Sequence, residues 1–385
     1  MKKGIYLFAA IALMASCSQE EVFVDTPEAN PDVPRLIGFE TFVDKATRAD
    51  ANNSNALDFF YPTFNVYGWK VVGNELPYCV FNNIPVEFFA EDAQGTVVYK
   101  DENQKPSNEW TFEANNWYYE NIRYWDKLAT SYQFSAYAPA EASASVECQP
   151  DGTITIGTDT APITVDRKNL MATPAEQLAY KGFALDYMTA TSKVATSPVS
   201  LIFKHLQAKL NILVKLDDEV TTAQNVAIQK IKVHNLGNKA YYTNVEGVGV
   251  SGWKLGEADA DYVPSITEVQ GGYSLNNATA NFNKHYVLEQ LIIPQTLAKY
   301  VGEEVNSLTE YTQACVYVEY TIGTETFKSF TPLANIFIGN GNEASYTFLG
   351  GNQYTLNITV GPKPIEFTAE VTPWAEGADE ELPMD

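Results

Sequence analysis

The chain has 385 residues, 45% hydrophobic and 13% aromatic, enough to fill more than one core. Forty-eight acidic residues against 25 basic ones give a formal net charge of −23, a field that repels phosphate and excludes nucleic acid as a partner. With 23 Tyr, 20 Phe and few helical Ala/Glu/Leu/Lys runs, the composition favours pleated sheet, so an all-β fold is expected.

Lys2 and Lys3 form a basic start, Gly4 to Met14 is an apolar stretch too short to span a bilayer, and the small residues Ala15 and Ser16 precede Cys17. That pattern predicts export. Leu13-Met14-Ala15-Ser16-Cys17 resembles the bacterial lipobox, with Met14 where Leu is usual. Residues 1–17 are therefore assigned to a signal peptide and lipobox, with Cys17 acylated and outer-membrane lipid as its partner. Each buried CH₂ contributes about 0.8 kcal/mol, so several acyl chains on one residue anchor stably. Ser18-Gln19-Glu20-Glu21 resembles the signal that sends lipoproteins of Bacteroides-type bacteria to the cell surface, and residues 18–35 have the Pro-, Asp- and Glu-rich composition of a flexible linker.

Leu36 to Val43 predicts a β-strand apolar on both faces, and the small polar residues that follow, Asp44 to Asn55, predict a tether. Leu36, Ile37, Phe39, Phe42 and Val43 supply its apolar side chains. A cut in the tether would detach the strand and leave an unpaired sheet edge with an apolar groove, which another chain's strand can complete.

Strand-like runs follow at Phe59–Tyr61, Phe64–Trp69 and Tyr78–Phe81, and aromatics crowd from Trp110 through Trp117, Tyr124 and Trp125 to Tyr137. Such rings fill a sandwich core or its rim; an exposed row of them would instead form a glycan-stacking platform. Thr173 to Tyr180 is the only helix-like stretch, with Thr173 as cap and Pro174 at the first helical position. A composition change places a domain boundary near Pro198, giving an N-terminal sandwich of residues 36–197 and a C-terminal one of 198–385. Further strands are predicted at Ala227–Val233, Tyr286–Ile293, Ala314–Ile322 and Gln353–Val360, with a bend at Gln207–Lys209 where one sheet passes to the next. The last strand, Ile365 to Val371, precedes Trp374 and an acidic tail.

Enzyme signatures are lacking: there is no Gly-x-Ser-x-Gly elbow, phosphate-binding Gly loop or His-Glu-x-x-His. His205, His234 and His285 are far apart in sequence, and Cys79, Cys148 and Cys315 lack metal-ligand spacing. Glu257-Ala258-Asp259-Ala260-Asp261 lacks the Gly and closing Glu of a calcium loop. No catalytic residue, metal site or cofactor is expected.

Several of these segments, taken in order, carry a family resemblance. The lipobox at Cys17, Ala46-Thr47-Arg48-Ala49, Phe64-Asn65-Val66-Tyr67-Gly68-Trp69 and Tyr132-Gln133-Phe134-Ser135-Ala136-Tyr137-Ala138-Pro139 are four of them. Asp186-Tyr187-Met188-Thr189-Ala190, Phe203-Lys204-His205-Leu206-Gln207-Ala208-Lys209-Leu210, Ile292-Ile293-Pro294-Gln295 and Phe367-Thr368-Ala369-Glu370-Val371-Thr372-Pro373-Trp374 continue the series. Together they resemble the fimbrillin, Mfa-like family of type V pilus subunits and adhesins of Bacteroides-type bacteria. At Gly350-Gly351-Asn352-Gln353-Tyr354 the family pattern has a basic residue before the Tyr, which this chain lacks. The resemblance implies two tandem transthyretin-like β-sandwich domains, and assembly with other pilus subunits by strand exchange after an Arg-directed cut. Carried onto this chain, it makes Arg48 and Ala49 the cleaved pair, residues 36–48 the removed strand and tether, and Ile365, Phe367, Ala369, Val371 and Trp374 part of a donor strand. A surface glycan or protein receptor is the further partner it implies. The tail beyond Trp374 is short for a complete donor arm, so both a shaft and a tip subunit fit.

Overall fold

The computed structural model describes residues 35–43, 62–89, 116–164, 188–193, 198–217, 220, 226–256, 265–268, 273–274, 285–302 and 313–373. β-branched and aromatic residues at two-residue spacing set its local structure, and strands dominate. In the first half these are β1 (Phe39–Val43), β2 (Thr63–Val72), β3 (Tyr78–Phe89), β4 (Asn116–Tyr118), β5 (Ala129–Ala138), β6 (Val146–Cys148), β7 (Ile154–Ile156), β8 (Ile163–Thr164), β9 (Met188–Ser192) and β10 (Val199–His205). Seven of them form one sheet in the order β1-β10-β9-β5-β2-β3-β4.

The two ends of that sheet meet. Leu36 forms an antiparallel bridge with Tyr124, just past β4, and the Ile37 N–H donates to the Arg123 carbonyl at 2.9 Å. The sheet thereby closes over a core that includes Phe64, Phe81, Trp117, Phe134, Leu201 and Phe203. Its other face is covered as well, which is why β5 is buried without interruption from Tyr132 to Ala138.

The second half contributes β11 (Ala208–Leu216), β12 (Val226–His234), β13 (Lys239–Thr243), β14 (Trp253–Leu255), β15 (Ser265–Glu268), β16 (Tyr273–Ser274), β17 (His285–Ile292) and β18 (Gln295–Ala298). After these come β19 (Cys315–Ile322), β20 (Glu325–Pro332), the helix α1 (Leu333–Ile338), β21 (Ser345–Phe348), β22 (Asn352–Val360) and β23 (Glu366–Pro373). Sheets β17-β11-β22-β23 and β15-β12-β19-β20 face each other across one core. Leu210, Ile212 and Leu356 enter it from the first, Ile231, Val316 and Val318 from the second.

A fourth sheet, β14-β13-β7-β6, takes strands from both halves, with β8 also paired to β13. Ile154, Ile156, Tyr242, Trp253 and Ile293 pack beneath it. The residues described from Leu36 onward accordingly group as one unit. The chain changes sheet at Leu206-Gln207, between β10 and β11, where the Trp253 indole N–H donates to the Leu206 carbonyl and the Gly351 N–H to that of Gln207, both at 2.8 Å. β10, which follows Pro198, still belongs to the first sheet.

Some local expectations change. β3 does not stop at Phe81 but runs twelve residues to Phe89. Asn83 adopts φ +53° at a bulge, and Pro85 lies where β4, paired only with Glu87–Phe89, no longer needs its missing N–H. The helix α1 is a second departure, since only Thr173–Tyr180 looked helical; that stretch, Phe59–Tyr61, Trp110 and the Glu257–Asp261 run lie outside the described residues.

Candidate functional site

β1 is the end strand of the seven-stranded sheet, its ladder formed with β10 in parallel register from Phe39↔Val199 to Val43↔Phe203, while only the residues just before it, Leu36 and Ile37, reach across to Tyr124 and Arg123. The strand is not apolar on both faces in the sense expected. Ile37, Phe39 and Thr41 turn into the core at 0%, 3% and 5% exposure, whereas Phe42 is 38% exposed on the outer face, opposite the exposed Ile202.

Phe39 is the anchor. Its ring makes edge contacts with Phe64, Phe81, Tyr119 and Phe134 at centroid distances of 6.1, 5.4, 5.8 and 5.9 Å. Burying Ile37 and Phe39 contributes about 3–6 kcal/mol, a large share of the roughly 5–15 kcal/mol that stabilises a typical folded protein. Removal of β1 without replacement would therefore strip the core of an essential part.

A clamp holds the start of the strand. The Tyr119 hydroxyl donates to the Ile37 carbonyl at 2.7 Å and accepts from the Arg123 N–H at 3.3 Å. Burial pushes the Tyr119 phenol well above its ordinary pKa, so it stays a donor. Arg123 fixes the segment, donating through Nε to the Val80 carbonyl and through Nη1 to those of Glu120 and Asn121, with its guanidinium 4.7 Å from the Phe81 ring centroid. Sequence reasoning placed Tyr119 among core aromatics but missed its clamp role and Arg123; an arginine between two aromatic runs, Trp117–Tyr119 and Tyr124–Trp125, was the available signal.

The last strand is held differently. β23 lies at the edge of the β17-β11-β22-β23 sheet, paired antiparallel with β22 from Asn352↔Pro373 to Thr359↔Glu366. None of its residues is fully buried: Phe367 is half-buried against the core, as is Ile365 just before it, while Ala369 is exposed and Val371 is 45% exposed. Backbone pairing, more than side-chain burial, retains it.

Cys17, Arg48, Ala49 and Trp374 lie outside the described residues. Most of the aromatics that would form an exposed platform are core: Trp117, Tyr118, Tyr119, Tyr132, Phe134 and Tyr137 are all 7% exposed or less, Trp125 is half-buried, and Tyr124 alone of the described ones stands out, at 51% exposure. Among the described residues, no group of three or more His, Cys, Asp or Glu side chains is placed to hold a metal ion.

A family model described as fimbrillin-like matches residues 47–374. The chain belongs to the fimbrillin-like family. This is a family of fimbrial subunits and adhesins, not of enzymes. The fimbrillin-like chain is also 24% identical to the fimbrium subunit Fim1C of Phocaeicola vulgatus over 422 residues, covering 99% of this chain and 98% of that one. Among solved structures it is similar to a fimbrial protein from Bacteroides vulgatus, with a TM-score of 0.50 at 16% identity, covering 89% of this chain and all of that one. The tip fimbrial protein Mfa3 of Porphyromonas gingivalis, with a C-terminal truncation, aligns at a TM-score of 0.36 and 11% identity over 89% of this chain and 99% of that one.

Proposed function

We propose that the chain is a fimbrial subunit or adhesin, exported to the cell surface as a lipoprotein acylated at Cys17, cut between Arg48 and Ala49, and assembled by strand insertion from another subunit. The observation that carries this reading is β1 itself: an edge strand whose alternate side chains complete the core. The family match begins at residue 47, so β1 stands ahead of the matched stretch. Removing β1 vacates the edge of β10 and the pocket around Phe39, a groove that selects an incoming strand with apolar residues at two-residue spacing. Phe367, Ala369 and Val371 have the same spacing as Ile37, Phe39 and Thr41, and the sparse burial of β23 lowers the cost of its release, with Ile365 and Trp374 flanking it. A core from each half supports two sandwiches, with β10 packing in the first, so that the change from one to the other falls at Leu206-Gln207 and not at Pro198, and one sheet is shared between them.

Mass spectrometry of assembled fimbriae tests the reading. Chains beginning at Ala49, together with loss of polymer in Arg48→Ala, are expected. Fimbriae built only of acylated chains beginning at Cys17 would overturn it.

A further inference from the structure

A cleft of about 400 Å³ opens on the first sheet away from β1 and β23, at the small end of the range for ligand pockets. Its rings and polar groups come from four separate segments. Trp69 comes from β2, Ser131, Tyr132 and Gln133 from β5, Asp151 from the β6–β7 turn, and Lys193 from the end of β9.

The walls are set in place by contacts that leave binding groups in hand. Trp69 stacks on Tyr67 with ring centroids 5.8 Å apart and planes 8° from parallel. The turn carrying Asp151 is tied by Gln149 N–H to Thr153 O at 2.8 Å, Gly152 N–H to Gln149 O at 3.0 Å and Asn244 Nδ2 to Gly152 O at 2.9 Å. Gly152, at φ +93°, packs so close to the Gln133 amide that a Cβ there would lie 2.9 Å from Nε2. Hydrogen bonds from Thr153, with Lys193 nearby, hold the Asp151 carboxyl below its ordinary pKa and keep it ionised. Gln133 is 9% exposed; its Nε2 donates to the Phe134 carbonyl at 2.9 Å, but its Oε1 is buried without a partner.

We infer that this cleft binds a neutral saccharide. Its acceptors open to a ligand are the Asp151 carboxylate and the Ser131 hydroxyl, with the Lys193 ammonium as the cationic donor. A pyranose matches that set: adjacent hydroxyls donate to the carboxylate, the ammonium donates to a ring substituent, and the sugar's C–H groups lie over the small part of Trp69 and Tyr132, 7% and 5% exposed, that faces the cleft. An anionic ligand would meet Asp151 inside the field of a chain carrying a net charge of −23. A cationic one would meet Lys193. The site uses no residue of β1 or β23, so it stands or falls apart from strand insertion.

Isothermal titration of the full chain with methyl β-galactoside, methyl α-mannoside and N-acetylglucosamine tests the inference, with 3′-sialyllactose and glycylglycine as charged comparators. Saturable binding of at least one neutral sugar is expected, weakened roughly tenfold or more by Asp151→Asn or Lys193→Ala. Both positions are exposed, so the fold should stay intact, with at most a small drop in unfolding midpoint for Asp151→Asn, whose carboxylate accepts from the Thr153 N–H. The inference is overturned if none of the three sugars binds at about 10 mM, if only a charged comparator binds, or if both variants bind as the parent does.

Discussion

The Tyr119 hydroxyl reaches across the closure of the first sheet to the main-chain oxygen of Ile37, 2.7 Å away, and ties the start of the edge strand to the segment after β4. Tyr119→Phe keeps the ring that touches Phe39 and removes only that donor. The variant should lose about 1 kcal/mol, with faster amide exchange in Phe39–Val43 and unchanged exchange in β11 and β22. Hydrogen exchange read by mass spectrometry checks this, and equal protection of β1 in both chains would show that the clamp is idle.

Phe39→Ala should be far more costly. It empties the space between Phe64, Phe81, Tyr119 and Phe134, and about 3–5 kcal/mol should be lost in denaturant unfolding of the intact chain. Phe42→Ala, on the exposed face of the same strand, should cost under about 1 kcal/mol. Similar losses at the two positions would contradict the one-sided burial of β1.

Gly68 is kept small by its neighbours. A Cβ there would sit 2.8 Å from Phe81 Cδ2 and 3.0 Å from Phe134 Cδ1, so Gly68→Ala should destabilise by about 1–3 kcal/mol through overpacking. Thermal unfolding checks the value. A neutral result would mean that the two rings move aside freely.

Acid should loosen the turn beside the cleft. Asp126 accepts from Lys70 at 2.6 Å and from the Leu128 N–H at 2.9 Å, contacts that lower its pKa, the Lys70 bond foremost. A carboxyl depressed on folding adds stability above its unfolded pKa of about 3.9 and loses it as pH falls through the folded value. The difference in unfolding midpoint between parent and Asp126→Asn should therefore be present at neutral pH and shrink in the acid range below about 3.9. A difference that stays constant would assign the contribution to packing alone.

Thiol labelling should follow burial. Cys79 is exposed, Cys148 is half-buried with its thiol pushed up to about 12 by burial, and Cys315 is buried. Alkylation near neutral pH should reach Cys79 first, because the thiolate is the nucleophile. Cys148 reacting as fast as Cys79 would contradict its buried setting.

The strands were legible where alternation was undiluted. Asn352–Val360 and Cys315–Ile322 match their predicted runs within a residue, and the bend at Gln207–Lys209 lies where the chain changes sheet. β1 was legible as a strand, but its facing was not. Phe42 and Ile37 look equally apolar in sequence, and only the register with β10 decides which one meets the core. β3 runs past the expected end at Phe81 because the sheet accommodates Asn82, Asn83 and Pro85, residues that ordinarily interrupt strands, with a bulge and a locally unpaired side. The Tyr119–Ile37 clamp joins residues 82 apart, and the Trp69–Asp151–Lys193 cleft joins four segments; contacts of that range leave no local periodicity to detect.

The sheet shared by β13, β7 and β8 bears on how the molecule carries load. Were the halves beads on a string, a pull between the first strand's seat and the closing strand would fall on the peptide at Leu206 alone. Lateral stitching instead spreads the tension over several backbone bonds in parallel, so the two halves resist stretching as one piece before either begins to unravel.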